Sequence, residues 1–456
     1  MFDDANTKMR PTNRAGFTLI EVMVALVMTL IVLVAMMQAF KYASTEIAKG
    51  RAMIEMSNQL RTAQETLRSD FDGLTVDMRP WAITAGPNGY FEYIEGKSIN
   101  GNDASSLGTV NNVFGDLDDI LAMTVRCDGT SPFRGRRTDI GGTVTAVESN
   151  VAEVIWWTDF EDRNGNLIWE TDEPIMTFRR VLLVRPDLGN LGADPAFFLK
   201  NDISARFDGT NWIANSIDDL AKRENRFAHD NVAFPFILNR ATLKNLELTA
   251  ANLTAAGGGS LLAYEGQDVL ISDVIAFDVK AFSPDTPIRQ IDDIVITPAD
   301  VPAVYVAAGV ASEIDQGAFV DLAYAAIPFS PTAYAFSTWP TLKSQLNYTF
   351  AGTTDVVYDT FSKHYESNGI DEDDGGSLLP EYIDEGTDGF DALDTDGPDL
   401  DALLDDVGSA VDDNEERETL PPYPNRLTSV KVSIRLIERT TKQVRQTSVT
   451  TSFIPN

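Results

Sequence analysis

The sequence is short of the residues on which many enzymes and most disulfide-stabilised proteins depend. Its 456 residues include one cysteine, Cys127, and two histidines, His229 and His364. A single cysteine cannot form an intramolecular disulfide, so the fold does not rely on disulfides even in an oxidising compartment. We expect Cys127 to be a partly buried free thiol. The two histidines lie in no recognisable catalytic motif, and we expect both at the surface or in loops.

Basic residues are also scarce in proportion to acidic ones. There are 36 Lys and Arg against 69 Asp and Glu, which gives a formal net charge of −33. Nucleic acids are bound through Lys and Arg, so no nucleic-acid partner is expected, and anionic lipid is disfavoured for the same reason. No nucleophile motif and no glycine-rich phosphate loop is recognisable. We therefore predict that the protein is not an enzyme, with no catalytic residues and no cofactor apart from the calcium considered below.

Proline is absent between Phe17 and Leu74, and the first part of this stretch is also poor in polar residues. Over the 24 residues from Phe17 to Phe40, the only polar side chains are Thr18, Glu21, Thr29 and Gln38. A helix of this length spans about 36 Å, enough for a hydrocarbon core of about 30 Å. A carboxylate in such a run costs about 2.5–3.5 kcal/mol near the helix centre and less near its end. We expect a positive partner in an assembly to offset the cost of Glu21.

The start of this run carries a specific motif. Gly16-Phe17-Thr18-Leu19-Ile20-Glu21 follows a short leader whose positive charges are Lys8, Arg10 and Arg14. It resembles the type IV prepilin signal, which pilins share with the pseudopilins of type II secretion. The resemblance implies that a prepilin peptidase cuts between Gly16 and Phe17 and methylates the new N-terminal Phe17. It also implies that Glu21, then the fifth residue, neutralises the N-terminal amine of a neighbouring subunit during assembly.

An ordinary secretory signal peptide is the alternative interpretation of the same run. Such signals have an apolar core of about 7–15 residues, and the small residue of the cleavage site comes after that core. Here the run is longer, and Gly16 precedes it.

Many major pilins also carry a helix-kinking proline late in the run, and its absence here favours a minor subunit with a straighter helix.

Beyond Phe40 the helical pattern continues but becomes amphipathic. The apolar residues Ile47, Ile54, Leu60 and Leu67 recur near helical spacing among charged residues. We predict one helix from Phe17 to about Phe71, roughly 80 Å long, with its first half in the membrane and its second half packed on a domain. The basic leader favours a cytoplasmic N-terminus, although Lys41 lies beyond the run, so the orientation depends on the resemblance.

The middle of the chain is predicted to be rich in β-strands. Ala152–Thr158 and Thr177–Arg185 are rich in β-branched and aromatic residues, which predicts two antiparallel strands joined by an acidic loop. Asp273–Phe282 alternates apolar and polar residues, a pattern typical of a strand with one dry face. Residues 186–260 show no such pattern, and we expect them to form an irregular, polar loop insertion.

The C-terminal segment predicts a β-hairpin. Apolar and polar residues alternate strictly from Val430 to Leu436, a turn is expected near Glu438–Thr441, and a second strand ends at Phe453. We expect this hairpin to complete the sheet beside the long helix. The predicted fold class is therefore α+β: a long N-terminal helix packed on an antiparallel β-sheet domain, pilin-like, with large loop insertions.

Residues 366–418 differ in composition from the rest of the chain. They hold 21 Asp or Glu and one basic residue, Arg417, for a net charge of −20. Alternating Asp and Gly supply the oxygens and sharp turns that Ca²⁺ requires, and cations would relieve the self-repulsion. The candidate metal ligands are Asp371, Asp373, Asp384, Asp388, Asp394 and Asp396. No stretch completes an EF-hand pattern, and the alternative is a solvated, disordered acidic loop.

These features divide the chain into segments with different expected roles. They are a leader at 1–16, a transmembrane half-helix at 17–40, an amphipathic half-helix at 41–72, a β-rich domain at 73–365, the acidic loop at 366–418 and the hairpin at 419–456. The order of parts resembles the J-type minor pseudopilins of type II secretion and the W-type minor pilins. The motif itself is specific only over about residues 14–70.

The resemblance implies a structural subunit of a type II secretion or type IV pilus-like filament. Its expected partners are the prepilin peptidase, the membrane, and other pilins or pseudopilins bound through the N-terminal helix. Its expected location is the inner (cytoplasmic) membrane, crossed once, with the C-terminal domain in the periplasm. A second hypothesis, from a different functional class, is a membrane-tethered Ca²⁺-dependent adhesin that uses the prepilin pathway.

Overall fold

The computed structural model describes residues 18–78, 89–96, 115–139, 141–161, 173–230, 236, 238–257, 261–291, 293–297, 312–322, 349–350, 353–354, 356–360, 427–439 and 441–453. These residues fall into two compact units, one ending at Glu55 and the other beginning at Met56. Several sequence predictions lie outside the described residues, namely those on Gly16, Phe17, His364 and the acidic segment with Asp371, Asp373, Asp384, Asp388, Asp394 and Asp396.

One helix begins the described chain. Helix α1 (Leu19–Asp72) has 54 residues, which corresponds to about 80 Å. The large apolar side chains from Leu19 to Phe40 are exposed, and the helix is long and apolar enough to cross a membrane. The prediction of a single uninterrupted helix is confirmed, and the helix ends one residue beyond the expected Phe71.

The remaining elements are mostly short strands. The strands are β1 (Phe91–Glu95), β2 (Ile120–Arg126), β3 (Phe133–Thr138), β4 (Val144–Ser149), β5 (Val151–Phe160), β6 (Ile175–Leu183), β7 (Asn190–Gly192), β8 (Ala205–Phe207), β9 (Trp212–Ala214), β10 (Val269–Ser272), β11 (Val274–Ile291), β12 (Ile294–Ile296), β13 (Glu313–Val320), β14 (Thr349–Phe350), β15 (Thr353–Thr354), β16 (Val356–Asp359), β17 (Ser429–Glu438) and β18 (Gln443–Ser452). The short helices are α2 (Phe197–Lys200), α3 (Arg240–Asn245) and α4 (Ala250–Ala255), and single 3₁₀ turns lie at Pro186–Leu188, Asp219–Ala221, Arg223–Asn225 and Leu261–Tyr264.

Two antiparallel sheets form the main body. The first sheet has the strand order β10-β6-β5-β2-β1-β16, and the second has the order β12-β11-β17-β18 with β13 also paired to β11. The predicted strand pair is present as β5 and β6, with Ala152 opposite Leu183 and Phe160 opposite Ile175. The fold-class prediction, a long apolar helix followed by antiparallel β-sheets, is confirmed.

The second sheet contains the C-terminal hairpin. Strands β17 and β18 pair from Ser429–Ser452 to Glu438–Gln443, and β17 also pairs with β11. The apolar residues of the alternation in β17 are buried: Val430, Val432, Ile434 and Leu436. The predicted alternation therefore identifies the face that joins the core.

Strand β11 differs from its sequence prediction in one respect. The face that was expected to be dry is buried and includes Phe277 and Val279. Part of the opposite face, which was expected to be solvated, is buried as well. Lys280 is buried there, because Asp278 binds its ammonium group at 2.7 Å and Asp321 lies in contact with it. An ion pair, which alternation does not reveal, makes burial of the charged side chain affordable.

The first sheet is covered on both faces. Alternate residues of β5 face opposite sides, so Val154 and Trp156 enter one core cluster whereas Ile155 and Trp157 enter another. The first cluster contains residues of α1 after Met56 and the apolar face of the second sheet. Because strand β5 is buried on both faces, a second layer of residues must cover the other face of the first sheet. That layer comes from a region of the chain without strong hydrophobic periodicity.

The prediction that residues 186–260 form a surplus loop is wrong. This region contributes α2, the small β7-β9-β8 sheet and buried aromatic residues to the second cluster. Phe198 packs edge-on against Trp212 and Phe227, with ring centroids 5.0 and 4.9 Å apart. Because its elements are three to six residues long, hydrophobic periodicity could not detect them.

Candidate functional site

The start of α1 is closed by a reciprocal pair of side chains. The backbone N–H and the hydroxyl of Thr18 each donate to Glu21 Oε2 at 2.9 Å, and the Glu21 N–H donates to Thr18 Oγ1 at 3.3 Å. The Thr18 carbonyl accepts the first helical hydrogen bond, from Val22. This is a capping box, in which a threonine and a glutamate three residues later satisfy each other's backbone donors. The sequence shows that spacing, but sequence reasoning considered only the charge of Glu21.

Glu21 is the one carboxylate of the exposed apolar run, and its recorded partners are both on Thr18. Within the described residues it forms no ion pair. The peptide N–H of Thr18 follows directly on Phe17 in the sequence, so a cut before Phe17 would create the new amine one residue away. The carboxylate therefore lies at the end of the helix where that positive charge would arise.

The second half of α1 is built into the β-sheet unit through one face. Its buried residues recur at spacings of three and four: Met56, Leu60, Ala63, Leu67, Asp70 and Phe71. Phe71 packs against Phe91 of β1 and Phe453, with ring centroids 6.5 and 6.2 Å apart. Thr447 of β18 donates to Gln64 Oε1 at 3.1 Å, so the hairpin contacts this part of the helix.

Asp70 is the polar centre of that interface. It is buried, and its carboxylate accepts from Trp156 Nε1 at 2.8 Å and from Arg179 Nε and Nη2 at 2.8 and 2.6 Å. The helix is thereby fixed to neighbouring strands β5 and β6 by a bidentate ion pair and an indole hydrogen bond. Trp156 also stacks on Phe277 of the second sheet, with centroids 6.3 Å apart.

His229 lies outside the named helices and strands, as the loop alternative of its prediction has it, but it is buried and does not lie at the surface. Its Nε2 lies 2.7 Å from Glu92 Oε2 and its Nδ1 lies 2.9 Å from the Phe227 carbonyl, in a fully buried setting. Both ring nitrogens therefore lie within hydrogen-bonding distance of an oxygen. Arg226 lies 3.0 Å from Asp359 and 3.5 Å from Glu92 in the same cluster.

The charges around Glu92 explain how this cluster is tolerated in the core. Burial acts to raise the pKa of Glu92, but His229 and the guanidinium groups of Arg226 and Arg223 overcome it and hold the pKa below its ordinary value. The positive and negative side chains of this cluster therefore compensate one another inside the fold. The partners are more than a hundred residues apart in sequence, so a sequence scan could not associate them. This geometry indicates a structural network for His229.

Cys127 agrees with its prediction. It is a free, partly buried cysteine whose thiol lies 3.5 Å from Asn150 Oδ1.

A second group of buried acids is suited to metal binding, and sequence reasoning did not find it. Carboxylate oxygens of Glu95, Asp116 and Asp119 lie within 4.8 Å of one another, and all three residues are buried. Burial is the main cause that raises the pKa of each of these carboxyl groups, and neighbouring carboxylates raise it further. The six ligand candidates predicted from the sequence are different residues, and they fall outside the described residues.

The exposed apolar part of α1, with its capped start, is long and apolar enough to cross a membrane, and a folded β-sheet unit follows it in the chain. Residues 11–37 match the prokaryotic N-terminal methylation motif, so the chain carries a type IV prepilin-type signal. That motif implies processing by a prepilin peptidase and association with the membrane. No curated protein and no solved structure matches the chain.

Proposed function

We propose that the protein is a minor pilin or pseudopilin, a structural subunit of a type II secretion or type IV pilus-like filament, and not an enzyme. The observation that supports this most directly is the N-terminal methylation motif at residues 11–37, which includes Gly16, Phe17 and Glu21. In this proposal the chain is anchored in the inner membrane by the first half of α1, and its β-sheet domain lies in the periplasm.

The charge of Glu21, which has no ion pair among the described residues, supports a role for this residue in assembly. A carboxylate in a membrane-spanning run needs a positive partner, and the described residues offer it none. The N-terminal amine of a neighbouring processed subunit supplies a compact positive charge at the same membrane depth. The proposal therefore assigns contact between subunits to the first turn of α1.

A pair of variants separates the charge of Glu21 from its capping role. Glu21→Gln keeps an oxygen for the Thr18 N–H but removes the negative charge, whereas Thr18→Ala removes the cap and keeps the charge. Crosslinking to other prepilin-type subunits in intact membranes measures incorporation. We expect Glu21→Gln to lower crosslinking at least tenfold and Thr18→Ala to retain most of it.

Insertion and processing serve as controls for that comparison. Both variants should reach the membrane, because Glu21→Gln removes a charge from an apolar helix and Thr18→Ala removes only a hydroxyl, so neither change raises the insertion cost. Intact mass should show the same N-terminal processing in each. If Glu21→Gln crosslinks to partner subunits as well as wild type does, the charge of Glu21 plays no part in assembly. Ligand binding without any partner subunit would favour the tethered adhesin instead.

A further inference from the structure

The three buried acids lie where the two main sheets meet. Glu95 is the last residue of β1, and Asp116 and Asp119 belong to the segment that enters β2. That segment runs along β11 of the second sheet, because the Phe277 N–H donates to the Asp116 carbonyl at 2.7 Å and the Val279 N–H donates to Asp119 Oδ2 at 2.7 Å. The acids therefore sit between β1 and β11.

The donors around these carboxylates are too few for their oxygens. Asp119 is satisfied by the N–H groups of Val279 and Gly96, and Glu95 Oε2 accepts from the Leu322 N–H at 3.1 Å and from the Tyr93 hydroxyl. Glu95 Oε1 and Asp116 Oδ2, in contrast, are buried and have no hydrogen-bond partner among the residues that the structure describes. Glu95 is 0% exposed and Asp116 is 1% exposed, so these oxygens have lost water without replacement.

The local charge is also unbalanced. Across the part of the chain that the structure describes, Glu95, Asp116 and Asp119 form no ion pair with Lys or Arg. The neighbouring Lys280 binds Asp278 and Asp321. A further carboxylate, that of Asp118, lies directly over Gly96, the residue after Glu95, in space that any side chain at Gly96 would fill. Isolated buried carboxylates are costly, so in its ionised form this group needs a positive counterpart.

We propose that Glu95, Asp116 and Asp119 bind one Ca²⁺ between the two sheets, with Asp118 beside them. Ca²⁺ takes six to eight oxygen ligands in irregular geometry and accepts carboxylates in one- or two-oxygen mode. Mg²⁺ requires near-octahedral geometry and retains waters, and Zn²⁺ favours nitrogen and sulfur ligands, which these acids do not provide. The bound ion links β1 to the segment held on β11, so it stabilises the contact between sheets.

The test uses the full processed chain in detergent and CaCl₂ as the probe. Asp116→Asn is the main variant, since an asparagine oxygen can still accept the 3.3 Å hydrogen bond from the Asp118 N–H while the charge is lost. Glu95→Gln is the second variant. The matched control replaces the acids of the 366–418 segment by Asn: Asp371, Asp373, Asp384, Asp388, Asp394 and Asp396. Calorimetry, elemental analysis after desalting, and thermal unfolding in Ca²⁺ or chelator are compared.

The expected pattern has two parts. Wild type and the segment control retain a tightly held equivalent of Ca²⁺ that Asp116→Asn and Glu95→Gln lose, with at least a tenfold rise in Kd. At a hundredfold excess over Kd, Ca²⁺ raises the Tm of wild type by about 3–5 °C and Mg²⁺ raises it less. In chelator, Asp116→Asn does not melt below wild type, because the neutral amide keeps the contact with the Asp118 N–H and adds no charge to the cluster.

Several results would overturn the proposal. Equal Ca²⁺ retention and equal Tm shifts in wild type and Asp116→Asn would mean that protons neutralise the cluster. Loss of the tight equivalent in the segment control would assign the ion to residues 366–418 instead. Stabilisation by Mg²⁺ equal to that by Ca²⁺ would contradict the ligand chemistry. If Asp116→Asn fails to fold, the Glu95→Gln comparison decides the same question.

Discussion

At the scale of single residues, Asp70 decides how the helix is held. Its carboxylate receives three hydrogen bonds from Trp156 and Arg179, and the aspartate is 2% exposed. A buried ion pair contributes little relative to an apolar replacement, but removing one partner leaves the other charge uncompensated. Asp70 therefore matters less for net stability than for fixing which turn of the helix meets β5 and β6.

The first prediction concerns that ion pair. Asp70→Asn should lower the free energy of unfolding by about 2–4 kcal/mol, because Arg179 loses its counter-charge in a mostly buried site. Urea unfolding of the detergent-solubilised chain, followed by tryptophan fluorescence, measures the change. The control is Asp72→Asn, an exposed aspartate at the end of the same helix, which should stay within about 0.5 kcal/mol of wild type. Equal effects of the two changes would refute the assignment.

A second residue-scale prediction concerns pH. Burial, with the charge of Asp159 acting in the same direction, raises the pKa of Glu247 to about 9. The unfolded value is about 4.3, so between these pH values the folded protein holds a proton that the unfolded chain releases. The stability from this proton is complete at low pH and is lost as the pH rises towards 9. The loss is at most about 1.4 kcal/mol per pH unit.

Glu247→Gln isolates that contribution. The amide stays neutral and still offers an oxygen to Trp157 Nε1, which lies 3.1 Å from the glutamate. Unfolding free energies at pH 5.5, 7 and 8.5 should therefore fall less steeply for the variant than for wild type, so the variant gains relative stability as pH rises. Glu265→Gln is the exposed control. A difference between wild type and Glu247→Gln that does not change with pH would contradict the shift.

Some functional residues could be predicted from the sequence, and others could not. Glu21 could be singled out because a carboxylate in an apolar run is conspicuous by itself. The roles of Asp70, His229 and Glu95 could not, because each depends on partners far away in sequence, such as Trp156, which is 86 positions from Asp70. Local patterns carry no information about which distant charge a buried residue will meet.

At the scale of elements, periodicity succeeded where strands and helices are long. Helix α1 and strands β5, β6, β11 and β17 all have nine or more residues, and each was recognisable. The elements of residues 186–260 have three to six residues, too few for a period to be visible. Their burial follows from the need to cover the second face of the first sheet.

The helix face provides the element-scale prediction. Leu67 is fully buried in the first core cluster, whereas its neighbour Arg68 is exposed on the same turn. Leu67→Ala should lower the free energy of unfolding by about 2–5 kcal/mol, since it removes buried methyl groups and leaves a cavity. Arg68→Ala has similar helix propensity and should have little effect. Chemical unfolding measures both, and a Leu67→Ala cost below that of Arg68→Ala would contradict the packing.

At the scale of the whole molecule, the chain combines a membrane-competent helix with a large β-sheet unit. The N-terminal methylation motif matches residues 11–37 only, so it identifies how the chain is processed and anchored. The described body contributes two main sheets, two large core clusters and the buried acid group, and none of these could be assigned from the signal. The described part of residues 186–257 is packed into the second of these clusters.

The proposed function requires that this chain is processed as a prepilin-type subunit. The most direct measurement is intact mass with N-terminal sequencing of the protein extracted from membranes of cells with an active prepilin peptidase. We expect a chain that begins at Phe17 with a methylated amine, and a Gly16→Glu variant that keeps its leader. A mature chain that still carries Met1–Gly16, or one cleaved at a site beyond the apolar run, would contradict it.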